Sequence, residues 1–122
     1  MRQNLDLCKD IMFYLEENLE YGKNIKSYDL YEKFKEFDER EFIYQIELLS
    51  SKLLKSKRYD TLSDSEITFM IQGITEKGHN FLDTFRDKDL WEKTKEKGKF
   101  LETFSIDLLT NLAKECIVKG IN

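Results

Sequence analysis

Ile67, Phe69 and Ile71 alternate with Thr68, Met70 and Gln72, a period of two that predicts a half-buried strand over residues 66–74. Thr75 follows at a helix N-cap position, and Phe81, Leu82 and Phe85 then share one face of a helix that opens with Glu76, Lys77, Gly78 and His79. Upstream the period is helical. Leu5, Cys8, Met12, Leu15 and Leu19, with Ile11 beside them, predict an amphipathic helix over residues 4–20 that Gly22 ends. Ser27 is expected to cap a short second helix with Leu30, Tyr31 and Phe34 inward, and Asp38 with Glu41 resembles a capping box ahead of a third. That third helix places Phe42, Ile46, Leu49 and Leu53 in one stripe and turns Arg40, Tyr44, Glu47 and Ser51 outward.

From Lys55 the helical pattern fails, and residues 57–62 read as a strand joined to the next by a polar turn at Ser63, Asp64 and Ser65. Beyond residue 87 a short helix over 88–96 carries Trp91, the only tryptophan, expected to clamp the strand layer to the rest, and Lys97, Gly98 and Lys99 break it. Ser105 caps a last helix with Ile106, Leu109, Leu112, Ala113, Cys116 and Ile117 on one stripe and Gly120 at its end. Its apolar face calls for a partner, either the first helix or a second copy, the latter giving a homodimer through residues 105–118. The expected fold is mainly α with a small β-hairpin: a winged helix-turn-helix of three helices, a two-stranded wing and C-terminal helices. Residues 1–122 read as a single winged-helix domain, 1–95 its core and 96–122 a helical extension. The alternative is an irregular α+β domain with a decorative hairpin.

A chain of 122 residues, 40% hydrophobic and 36% charged, can bury a core without disulfides or metals. No apolar run approaches the ~20 residues of a membrane span, and residues 1–9 lack a signal peptide's apolar centre, so a cytoplasmic protein is expected. Cys8 and Cys116 lie on apolar helix faces and read as buried free thiols. The net charge of −4 gives no general attraction to nucleic acid.

The run from Ile74 through Gly78, His79, Phe81, Leu82 and Asp83 to Asp87, followed by Leu90, Trp91, Glu92, Lys93, Thr94 and Lys95, resembles the signature of a family of small bacterial and prophage proteins. That family is catalogued as a domain of unknown function, with the Bacillus YjcQ-type proteins as close structural relatives. Asn4 to Leu7 and Phe104 to Leu109 resemble its two ends, so the likeness spans nearly the whole chain; Glu76 and Lys77 depart from it, replacing an aromatic residue common before Glu-Gly-His. The resemblance implies a winged-helix fold and a phage or mobile-element setting, with no activity to carry over.

His79 is the one candidate for acid–base chemistry, but its place in a helix's first turn is read as structural, in packing or a hydrogen bond to the hairpin. Gly78 is read as a close approach of helix to strand. One histidine and no Cys-x-x-Cys leave no ordinary zinc site, no phosphate loop or nucleophile elbow appears, and no cofactor or catalytic residue is expected. The carboxylates Asp83, Asp87 and Asp89 read as a solvated face, and the protein as non-enzymatic.

Two functions remain open, and the expected fold favours the first. The first is a DNA-binding transcriptional regulator of a prophage, dimeric, contacting double-stranded DNA through Arg40, Tyr44, Gln45, Lys52, Lys55, Lys57 and Arg58, with Arg40 or Gln45 reading base edges. Against it, residues 38–53 hold Asp38, Glu39, Glu41 and Glu47 but only Arg40 and Lys52, a poor surface for phosphates. The second is a protein–protein interaction module, phage or host-defence related, that presents Glu39, Tyr44 and Glu47 to a basic partner.

Overall fold

The computed structural model describes residues 3–60, 66–98, 111, 113 and 114. In chain order they form α1 (Leu5–Asn18), β1 (Ile25–Lys26), α2 (Ser27–Tyr31), α3 (Glu39–Ser50), β2 (Leu54–Asp60), β3 (Ile67–Ile74), α4 (Glu76–Thr84) and α5 (Lys88–Gly98). Among the described residues these elements make a mixed α/β architecture of five helices and one three-stranded antiparallel sheet of order β1-β3-β2. The chain divides into two compact units, Met1–His79 and Asn80–Asn122.

In the first unit α1 starts where Asn4 Oδ1 accepts the Leu7 N–H at 3.1 Å, satisfying one of the donors a helix start leaves open. It buries Leu7, Cys8, Ile11, Met12 and Leu15. The helix ends at Asn18, two residues before the expected stop, and Leu19 is already extended. Gly22 is therefore not its terminator; at φ +81° it serves the turn that follows, a conformation open to glycine.

Two more departures arise next. The sheet has a third strand, β1, whose Ile25 pairs with Ile71 and Lys26 with Met70. Ser27 does not cap α2, which begins after an extended Lys26 without any side-chain cap. Its buried hydroxyl instead accepts the Phe69 N–H at 2.9 Å, so the second helix is pinned to the central strand. Tyr31 is half-buried, its hydroxyl donating to the Phe37 carbonyl at 2.6 Å, while Phe34 stacks on Phe42 at 5.6 Å between centroids.

α3 opens on Asp38, whose Oδ2 accepts the N–H groups of Arg40 and Glu41 at 3.1 and 3.2 Å. The return half of the expected capping box is replaced by a long-range contact, Asn4 Nδ2 donating to Glu41 Oε1 at 3.5 Å. Phe42, Ile46, Leu49 and Leu53 are buried as expected. β2 begins at Leu54, earlier than the pattern suggested, and pairs with β3 from Leu54↔Ile74 to Asp60↔Ile67, with a bulge between Lys55 and Ser56. Phe69 and Ile71 are buried and Ile67, near the strand's end, is exposed. The turn at 63–65 lies outside the described residues.

Thr75 caps α4 as expected: its Oγ1 accepts the Gly78 N–H at 3.1 Å and donates to the Lys52 carbonyl at 2.7 Å. A side chain at Gly78 would overlap the Leu53 carbonyl oxygen and come within 2.6 Å of Ile74 Cγ2, so the close approach read from the sequence is real. In the second unit Trp91 meets Phe85 and Phe81 edge-on at 5.0 and 6.3 Å, and all three are buried. Asp87 Oδ1 accepts the Asp89 and Leu90 N–H groups at the start of α5, which runs through Lys97 and Gly98 rather than breaking there. Asn111 and Lys114 are helical and exposed, and Ala113 is helical and buried; the remainder of the expected last helix, its dimer face and Cys116 lie outside the described residues.

Candidate functional site

A groove of about 840 Å³ runs between α2, α3 and the start of β3. Its apolar and aromatic surface comes from Tyr28, Tyr31, Ile43, Tyr44 and Ile67, and its carboxylates from Glu39, Glu47 and Glu66. Arg40 is the one cation among its described lining residues. α3 supplies two of these three carboxylates because Glu39 and Glu47 recur, with Ile43 between them, every four residues along its outward side. The Ser27 hydroxyl fixes the opposite wall, since its bond to Phe69 holds the first turn of α2, with Tyr28, against β3.

Arg58 closes one end of the carboxylate row. Its Nη1 lies 2.7 Å from Glu47 Oε1 and its Nε 3.0 Å from Asp60 Oδ1. Asp60 first, and Glu47 after it, holds the guanidinium still more firmly protonated than usual. Lys26 at the other side of the sheet sits 5.6 Å from the Tyr28 ring centroid, and a hydrogen bond to Tyr28 raises its pKa.

The seven residues proposed for DNA are not brought together. Arg40 is exposed and Tyr44 half-buried on α3, and both line the groove. Gln45 is fully buried, which removes it as a base reader: its Oε1 accepts the Asn4 N–H at 2.8 Å and the Cys8 thiol at 3.4 Å. Its position three residues after Phe42 and four before Leu49 was the available signal, because that spacing puts it on the buried stripe. Arg58 is committed to two carboxylates, so its charge is already balanced where a phosphate would have to sit. Lys57 pairs with Met70 while Arg58 pairs with buried Phe69, so successive side chains place Lys57 on the sheet's other face. Lys55 and Lys52 are exposed, Lys55 on β2 and Lys52 in the turn after α3. β2 forms an outer strand of the sheet, and lysines there discourage unwanted strand pairing.

Glu39, Tyr44 and Glu47, the alternative set, do share one surface. Ile43, Tyr28, Glu66 and Ile67 join them, and none was read from the sequence as a site residue because the groove is assembled from three separated segments. His79 is exposed on α4, with its backbone N–H bonded to the Thr75 carbonyl at 2.9 Å; among the described residues its side chain makes no hydrogen bond to the hairpin and does not pack in the core. Cys8 is a buried free thiol, and burial pushes its pKa up to about 12. Among the described residues no group of three His, Cys, Asp or Glu could hold a metal ion, and no helix is long and apolar enough to cross a membrane.

The described residues thus define a small mixed α/β protein with a tyrosine-lined acidic groove along α3. The chain belongs to the family described as "Hypothetical protein (DUF2513)", matching it over residues 2–105, which agrees with the likeness to an uncharacterised family seen in the Gly78–Trp91 region. It is also similar to a Haemophilus influenzae protein described as "Uncharacterized protein", with 30% identity over 120 residues that cover 96% of each chain. No solved structure matches.

Proposed function

We propose that this chain is a winged-helix protein-interaction module, of phage or mobile-element setting, that engages a basic partner through the α3 groove. The observation that carries this reading is the composition of the groove among the described residues: three carboxylates against one guanidinium, set around tyrosines and isoleucines. Such a surface repels phosphates and favours cationic side chains with apolar neighbours. The order helix, strand, helix, helix, strand, strand supports the winged-helix assignment and, with it, kinship to YjcQ-type proteins. Winged scaffolds need not bind nucleic acid, since function lies in the site rather than the fold.

DNA-binding regulation, by a dimer joined through residues 105–118, is the second reading. It is favoured by the same element order and by Arg40, which is exposed on α3 with no ion pair among the described residues. Affinity capture from native cells, with the wild-type chain beside a Glu39→Lys, Glu47→Lys variant, tests the first reading. A partner retained by the wild type, released by salt and lost from the variant is expected. Fluorescence anisotropy with duplex DNA tests the second; saturable binding lost on Lys57→Ala with Arg58→Ala would overturn the protein-binding proposal.

A further inference from the structure

We infer that the groove receives an extended partner segment of pattern basic–x–apolar–x–basic, an inference that rests on the protein-binding reading above. Glu39 and Glu47 are eight residues apart on one helix, a separation of about 12 Å at ~1.5 Å per residue. Four residues of extended chain span about 13 Å, and its side chains at the first, third and fifth positions share one face. Two cations so placed meet both carboxylates, and the residue between them meets Ile43 and Tyr44, which lie midway along the same row.

The sheet supplies the reason for an extended segment. β1 covers β3 only at Met70 and Ile71. The next in-phase N–H, that of Phe69, goes to the Ser27 hydroxyl. Backbone groups of alternate residues in an antiparallel strand turn to the same side, so Ile67 directs its N–H and C=O towards the groove it lines. A strand lying there adds main-chain hydrogen bonds at Ile67 to the charge pairing on α3.

Arg58 is the internal competitor of such a segment, because it already holds Glu47 at 2.7 Å. Both partners of that pair are more than two-fifths exposed, so an incoming cation exchanges with it at little cost. Removing Arg58 therefore strengthens the binding of a basic segment and weakens the binding of DNA.

The test is selection of a displayed random twelve-residue peptide library on the full chain, followed by anisotropy with the labelled consensus peptide and, separately, with a random-sequence duplex. The expected consensus carries two basic residues four apart around an apolar one. Glu39→Gln and Glu47→Gln each weaken its binding about three- to tenfold, and Arg58→Ala tightens it by about two- to fivefold. Circular dichroism confirms that these surface variants remain folded. No enrichment, a consensus without that spacing, or affinity indifferent to both Gln variants overturns the inference. The protein-binding reading falls separately, if the duplex binds and Arg58→Ala weakens it.

Discussion

Replacing Gly78 by alanine sets two known effects against each other. In an unobstructed helix the change should stabilise, because glycine costs about 1 kcal/mol relative to alanine at such positions. Here the added methyl meets the Leu53 carbonyl oxygen, Ile74 Cγ2 at 2.6 Å and Met12 Cε at 3.2 Å. The end of Met12 is flexible and can give way. The Leu53 carbonyl cannot move freely, since it accepts the Thr75 N–H at 3.0 Å, and Thr75 in turn is the cap of α4. Overpacking of this kind costs about 1–3 kcal/mol and strain on the hydrogen bond from Thr75 N–H to the Leu53 carbonyl about 1 kcal/mol more, so a net loss of about 1–3 kcal/mol remains after the propensity gain of about 1 kcal/mol. For a domain of this size that is a fall in Tm of roughly 4–12 °C. Gly73→Ala is the control, because its methyl meets only Lys55 Cδ at 3.9 Å, an ordinary contact, and its stability should change by less than about 1 kcal/mol. Urea unfolding followed by circular dichroism compares the three chains. A Gly78→Ala chain as stable as wild type, or more so, would refute the packing argument in favour of plain helix propensity.

Other consequences are equally direct. Gln45→Leu leaves the Asn4 N–H without its buried acceptor, and urea unfolding should show a loss of about 1–3 kcal/mol. Asp38→Ala removes the acceptor for the Arg40 and Glu41 N–H groups and should cost about 1 kcal/mol by the same measurement. The Cys8 thiol has a folded pKa raised from 9.0 to about 12, so its contribution is complete below pH 9 and is lost as pH rises towards 12, where the unfolded chain has released a proton that the folded one keeps. Relative to Cys8→Ala, wild type should therefore lose roughly 1.4 kcal/mol of stability per pH unit in that window, and a parallel pH dependence of the two chains would count against a buried neutral thiol.

The parts of the fold legible in sequence are those built from local periodicity. The stripe of Phe42, Ile46 and Leu49, the alternation around Phe69 and the Thr75 cap each depend on neighbours within one element or the turn beside it, and each is found in the structure, whereas Leu53 is buried just beyond the end of α3. β1 was missed because two residues, Ile25 and Lys26, carry no period, and it exists through pairing with residues more than forty positions away. Ser27 was misread for a related reason: a hydroxyl before a helix can serve that helix or any donor the fold brings near, and here the donor is Phe69. Gln45 shows the limit of polarity as a guide, since a polar side chain sits in the core when a backbone N–H and a thiol converge on it. Of the two proposed surfaces, the acidic one lay on a single helix face and was legible; the basic one mixed residues from both faces of a strand.

The groove owes its form to polar contacts of unequal permanence. Ser27 with Phe69 is buried and fixes α2 on β3, and Asp38 fixes the start of α3 by two hydrogen bonds that compete with nothing in the groove. The pairing of Arg58 with Glu47 is the exception, being exposed at the end of the carboxylate row. It contributes little to stability, and it can be exchanged without disturbing the walls. A DNA-binding protein of this shape would need Arg58 released to a phosphate, whereas a binder of basic protein needs Glu47 released to a foreign cation. The same ion pair opposes both, and deleting its cationic half assists only the second. The direction of change at Arg58 therefore separates the two uses of one scaffold more sharply than the loss of binding at any single lysine.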